Sequence, residues 1–414
     1  MPPAPIRPVI IGTDIGAYSI ARSFHEACGA RSIIISGSGR GPINDSRILV
    51  NEFLGKGAMN DPQRVLEALR RIGRDNVDKY RLILMVNSDQ DVEMVAEARD
   101  ELSQWYTIPL ASAEAIARAN DKSDVADVAH AIGQTTPKSI PVSVTDRSTW
   151  KSALEAIGFP AIMKPREGGT EYNRHYHSGM RKVWHLTTME ESHDALDVIA
   201  RSGFTGEMLL QELIPGDDTA SWVVNGYVDR RGVHTVGASG QVLLGLHQPG
   251  YIGNAGIIDV KINEELIDAG QAIVSALGLT GFYSLDVKID TRTGKPVWLD
   301  VNPRIGRGNY YINVGGLNPI AAMLDDIAGV DRAPQRASRR GIFAFVPTVI
   351  LGRYVNDESL LAEVKKVMKK RPPVHPLDYA QDNGVKRRFY RYASGFNQLR
   401  DLRTYYPHPN ESGI

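Results

Sequence analysis

The residues best suited to chemistry lie between Gly281 and Arg307, in the run GFYSLDVKIDTRTGKPVWLDVNPRIGR. Its alternation predicts two strands. On the first, Tyr283, Leu285, Val287 and Ile289 share one face, while Ser284, Asp286 and Lys288 share the other. On the return strand, Val297, Leu299 and Val301 are apolar, and Trp298, Asp300 and Asn302 face the opposite way. Arg292-Thr293-Gly294 fits a three-residue hairpin loop with its glycine in the left-handed conformation. That register sets Asp286 against Asp300. Facing carboxylates repel, so the pairing implies either a cation between them or one carboxyl kept protonated. Asn302 adds a neutral oxygen, and such a hard-oxygen set suits Mg²⁺ together with substrate phosphates and water. A solvated hairpin face would carry the same residue types. Arg304 argues for a site, because a cation beside a metal-bound phosphate stabilises charge that develops during transfer. Arg307 follows in a glycine-flanked loop that can approach a ligand closely.

Two further segments carry nucleotide-binding chemistry. Lys164 ends the apolar strand Ala161 to Lys164 and leads into Glu167, Gly168, Gly169 and Thr170. Backbone N–H groups of such a loop favour anions, so it can close over phosphates. There is no GxxxxGK[ST] phosphate loop, and a plain surface lysine would look the same at a strand end. In QELIPGDD, Gln211 to Asp218, Glu212 is of the type that accepts an adenine amino group, with backbone at Leu213 for a ring nitrogen. Asp218 is of the type that accepts ribose hydroxyls, although an ordinary Pro-Gly turn would have the same acidic flanks. On the acceptor side, Asp14 follows the first strand at its carboxyl end, where ligands bind in parallel sheets. Arg22 either grips a carboxylate or lies on the helix surface. His247 either approaches substrate or is a loop histidine without a role. Cys28, late in a helix, reads as buried filler rather than a nucleophile.

The elements that must position these groups fall into three parts. Strands at Val9 to Gly12, Ser32 to Ser36 and Leu82 to Val86 alternate with helices, which implies a doubly wound, Rossmann-like α/β domain over residues 1–110. Asp61-Pro62 marks one helix start as N-cap and first-turn proline. From 111 to 330, runs of strands without interposed helices imply an α+β unit. A basic, helix-containing appendage follows over 331–414. The balance of 48 Lys+Arg against 48 Asp+Glu, with 42% hydrophobic and 23% charged residues, gives no field built for nucleic acid. The single cysteine excludes an internal disulfide, and Met1 to Pro8 lacks an export signal's apolar core, so a cytoplasmic location is expected. No apolar run approaches the roughly 20 residues of a membrane span.

Asn120-Asp121-Lys122, IMKP ending at Lys164-Pro165, QELIPGDD and LDVNPR, in this order and spacing, resemble the ATP-grasp superfamily of carboxylate–amine ligases. The likeness covers about residues 110 to 325. GTDIGAYSIARSFHEACG, LIPGDDTASWVVNGYVD and IGRGNYYINVGGLN extend it over nearly the whole chain towards the D-aspartate ligases of peptidoglycan crossbridge synthesis. The resemblance implies a two-part ATP-grasp domain, ATP as co-substrate and Mg²⁺, with Mn²⁺ as a substitute. It implies Lys122 and Lys164 on the α- and β-phosphates, Gln211, Glu212 and Leu213 around adenine, and Asp218 on ribose. Asp286, Asp300 and Asn302 would bind the metal, and Gly168, Gly169 and Thr170 would cover the phosphates. Arg304 and Lys164 would be catalytic. Asp14, Arg22, Arg304 and Arg307 would bind substrates: a small amino acid and the amine of a peptidoglycan precursor. A homodimer is compatible with this family. Many superfamily members have glutamate where this chain has Asp300 and Asp218. A ligase of two free amino acids, a nucleotide-binding sensor and a nicotinamide dehydrogenase are the competing readings; the last lacks a GxGxxG after the first strand.

Overall fold

The computed structural model describes residues 4–166, 175 and 178–413. Five strands, β1 (Ile6–Ile11), β2 (Ser32–Ser36), β3 (Leu49–Phe53), β4 (Arg81–Val86) and β5 (Tyr106–Thr107), form a parallel sheet in the order β3-β2-β1-β4-β5. The apolar runs of β1, β2 and β4 are buried because helices cover both faces. Asp14 caps helix Ile15–Cys28 by accepting from the Ala17 N–H. Asp61 caps Pro62–Asn76, and Ser88 caps Asp89–Glu97. Strand order reverses between β1 and β4. Their carboxyl ends, carrying Asp14 and Asn87 to Asp89, therefore flank the crevice where such sheets bind ligands. Cys28 is exposed in the last helical turn before Gly29, so the expectation of buried filler fails.

Four antiparallel strands follow: β6 (Ser139–Ser143), β7 (Ala161–Pro165), β8 (Trp184–Leu186) and β9 (Glu207–Glu212), ordered β6-β9-β7-β8. Trp150, Leu154, Leu196 and Ile199, from helices Trp150–Ile157 and Met189–Arg201, share a small core with Met163 and Leu210 of these strands. The largest sheet holds β10 (Ser221–Val228), β11 (His234–Leu246), β12 (Asn254–Val260), β13 (Gly281–Ile289), β14 (Pro296–Asn302), β15 (Gln335–Arg336) and β16 (Gly341–Ala344). Its order is β14-β13-β10-β11-β12-β16, with β15 beside β11.

Asp286 pairs with Asp300, as the alternation predicts, but by a different route. The turn is one residue longer than expected: Asp290 N–H donates to the Lys295 carbonyl, leaving Thr291 to Gly294 as the loop. A bulge at Leu299 then restores the register, since Val287 pairs with Trp298 and Asp286 with Asp300. Trp298 therefore turns onto the apolar face with Leu285 and Val287 and is 1% exposed, correcting its expected place beside Asp300. The tail adds helices Glu358–Lys370 and Val385–Tyr405. Among the described residues no helix is long and apolar enough to cross a membrane.

Candidate active site

A cleft of about 310 Å³ is lined by the small sheet on one side and by β13 and β14 on the other. β7 buries Met163 in the small core, so alternation turns Lys164 into the cleft. Its ammonium lies 3.0 Å from Asp300 Oδ1, 3.2 Å from Oδ2 and 3.4 Å from the carbonyl of the bulged Leu299. Lys122 opens helix Lys122–Ala131, capped by Asp121, and reaches to 4.0 Å from Asp300. It also donates to the Arg166 carbonyl at 3.3 Å. Lys182 lines the same cleft. Sequence reasoning missed it, because no recognisable motif surrounds it.

The two facing carboxylates differ. Burial, reinforced by the charge of Asp300, pushes Asp286 up to about 7. Burial acts on Asp300 in the same sense, but Lys164 and Lys122 outweigh it and hold this carboxyl below its usual range. Asn302 donates its amide nitrogen to the Ser284 carbonyl at 3.1 Å, while its amide oxygen accepts from Arg304. Two carboxylates and an amide oxygen on adjacent strands have the donor chemistry of a Mg²⁺ site. Among the described residues no group of three or more His, Cys, Asp or Glu converges on a metal position, so this mixed set is the candidate.

At one end of the cleft, Ser139, Gln211, Glu212, Leu213 and Ile214 form the wall. Glu212 accepts from the Lys138 N–H at 2.9 Å, and Gln211 donates to Ser139 Oγ at 2.9 Å. Arg304 and Asp89 line the cleft at the parallel sheet's crevice. Arg304 Nε donates to Asp89 at 2.5 Å, and its second nitrogen to Asn302 at 3.1 Å. Burial disfavours the charge on Asp89, yet Arg304 holds it ionised and below the usual carboxylate range. Arg307 pairs with Asp14 at 2.8 Å and lies over the rings of Tyr251 and Phe345. The loop after β14 presses so closely on the first helix that a Cβ at Gly16 would stand 3.0 Å from Arg307 Cα.

Asp218 and Arg22, expected in the site, and His247, for which two readings stood open, are not among the residues lining the cleft. Asp218 is buried, accepting from the Gly245 N–H at 2.9 Å and contacting His247 Nε2 at 3.0 Å. His247 stacks on Tyr406, so it is a packed core residue. The chain's own tail covers Asp218: a Cβ at Gly413 would be 3.2 Å from the Asp217–Asp218 peptide. Ser412 and Gly413 line the cleft, and Lys288 donates to the Ser412 carbonyl at 2.7 Å. Arg22 is not a surface residue, and the carboxylate it grips is the chain's own Glu26, 2.9 Å from its Nε. Arg22 is buried, between the rings of Tyr310 and Tyr379, with donors committed to the Pro376 and Asp378 carbonyls. Gly168, Gly169 and Thr170 lie outside the described residues.

The profile of the ATP-grasp domain family matches residues 119–308. A D-aspartate ligase of Enterococcus faecium is 27% identical over 392 residues, covering 92% of each chain. Among solved structures, an L-amino acid ligase from Bacillus licheniformis superposes with a TM-score of 0.56 at 16% identity, covering 78% of this chain and 74% of that one. N5-carboxyaminoimidazole synthetase from Staphylococcus aureus, complexed with ADP, gives 0.58 at 14% identity, covering 83% and 81%.

Proposed function

From the premise that this chain carries an ATP-grasp domain and is an ATP-dependent ligase forming C–N bonds, we propose that it joins D-aspartate to the lysine side chain of a peptidoglycan precursor in the cytoplasm. The observation that carries this reading is the single cleft in which Lys122, Lys164 and Lys182 face Asp286 and Asp300, with Arg304 at the crevice end. The relative named D-aspartate ligase supports the choice of acid.

A carboxylate is a poor electrophile because oxide is a poor leaving group. Attack of the β-carboxylate on the γ-phosphorus of ATP releases ADP and leaves an acyl phosphate. An amine then attacks the acyl carbon and phosphate departs. The protein's task is to hold reactants and neutralise charge. Lys122 and Lys164 meet the phosphates, giving up part of their hold on Asp300. Asp286, Asp300 and the Asn302 oxygen would hold Mg²⁺, which when bound supplies charge neutralisation of the phosphates. Arg304 stabilises the transferring phosphoryl group, and Arg307 with Asp14 orients the amino acid. The acid Asp14 suits an ammonium and the arginine a carboxylate.

The test is phosphate release from ATP against D-aspartate, L-aspartate, D-alanine and D-glutamate, each with the nucleotide-linked pentapeptide. Release strictly dependent on D-aspartate and the pentapeptide, with a product heavier by one aspartyl residue, is expected. Turnover with two free amino acids and no precursor would replace the acceptor. ATP binding without ADP formation under any pairing would reject the ligation itself.

A further inference from the structure

Helix Val385–Tyr405 is held to the body by its inner face. There Arg387 donates to the Pro42 and Asn44 carbonyls, Gly395 abuts Pro347 and Leu402 is buried. Its outer face is apolar. Val385, Phe389, Tyr392 and Phe396 are 69–75% exposed, and their spacing of four, three and four residues places them in one stripe. Isolated exposed hydrophobics are ordinary, but a contiguous aromatic stripe marks an interaction surface. Val349, two residues beyond the Pro347 that abuts Gly395, is the most exposed large hydrophobic of the chain's described residues at 82%.

The charges around the stripe identify its partner. Lys386, Arg388, Arg400 and Arg403 are exposed on the same helix. Lys386 reaches Asp45 at 3.6 Å and Arg400 its neighbour Asp401 at 3.4 Å, while Arg388 and Arg403 make no ion pair among the described residues. Two copies packed through this stripe would bring cations against cations in either orientation. An anionic lipid surface neutralises them while the aromatic rings enter the headgroup–acyl boundary. We propose that helix Val385–Tyr405 docks the enzyme on the surface of an anionic membrane, lying in its plane. This docking stands apart from the ligation chemistry, since none of these side chains lines the cleft.

The test is co-sedimentation of the full chain with vesicles of phosphatidylglycerol and phosphatidylcholine, against phosphatidylcholine alone. The variants are Phe389→Ser/Phe396→Ser and Arg388→Glu/Arg403→Glu, with circular dichroism as the folding control. Binding to the anionic vesicles only, weakened at least tenfold by each variant and by high salt, is expected. Equal binding to both vesicles, or none to either, overturns the proposal. So does a dimer in sedimentation equilibrium that Phe389→Ser/Phe396→Ser dissociates, because the stripe then joins two copies of the chain.

Discussion

Asp300 stands opposite Asp286 on β14, yet the Lys164 ammonium lies 3.0 Å from Asp300 and makes no hydrogen bond to Asp286. The pair is thus already divided into an ionised carboxylate held by lysine and a partner for which burial favours the proton. Lys164 and Asp300 should therefore act as a unit. Lys164→Met is expected to lower kcat for ADP formation by roughly 10²–10³-fold, the usual cost of removing one pre-positioned group from a charged transition state. Asp300→Asn should cost a similar factor, and the double variant far less than the product of the two. Steady-state rates of all four proteins decide it; strictly multiplicative losses would separate the two roles.

Arg304 joins the parallel-sheet crevice to β14 by contacting both Asp89 and Asn302. Lysine in its place keeps the charge but not the planar fork. Arg304→Lys should lower kcat by about 10²-fold while leaving the KM for ATP nearly unchanged, since the proposed function assigns the fork to the transferring phosphoryl group. Asp89→Asn, which leaves the guanidinium without its charged partner, should give a smaller loss in the same parameter. A rise in the ATP KM with kcat intact would instead make Arg304 a nucleotide-binding residue.

Asp218 is the residue whose role the structure moves furthest from expectation. Its carboxylate serves Gly245 and His247, not an open cleft. Asp218→Asn should destabilise the fold by roughly 1–3 kcal/mol, the range for weakening a buried hydrogen-bonded carboxylate. It should leave the ratio of activities on ATP and 2′-deoxy-ATP unchanged. A collapse of that ratio in the variant, with the melting temperature unmoved, would return Asp218 to the ribose.

What could be read from the chain is governed by the range of the interactions. The Asp286–Asp300 pairing and the Lys164 orientation follow from two-residue alternation within single strands, a local property. Even there, the predicted loop was one residue short and the Leu299 bulge cancelled the error. Trp298 is the visible trace of that cancellation. Bulges are set by the surroundings: the Leu299 carbonyl accepts from Lys164, and the Trp298 N–H donates to the Thr135 carbonyl. The burial of Asp218, Arg22 and His247 depends on distant segments: the end of β11, the loop at Pro376 to Asp378 and Tyr406. No periodicity reports such contacts. Lys182 and the tail at Ser412 escaped notice for the same reason.

Lys288 offers a test of the tail through proton linkage. It is 6% exposed, and burial pushes its ammonium down to about 8, with Asp218 and Asp217 partly opposing. The unfolded value is near 10.4. A folded value below the unfolded one means that the stability linked to this residue is fully present above pH ~10.4 and is lost as pH falls through ~8. The difference corresponds to roughly 3 kcal/mol at most. The melting temperature of the wild type minus that of Lys288→Met should therefore rise between about pH 8 and 10.4 and stay flat from about pH 6 to 7.5. Other lysines and tyrosines titrate in that window, but they cancel in the difference. Removing residues 410–413 takes away the Ser412 carbonyl that accepts from Lys288, a loss that alone would deepen the depression. It also opens the site to water and so relieves burial, the larger cause. The slope should then shrink in the shortened chain. A slope of full size without the tail would mean that β13 and its neighbours alone desolvate Lys288.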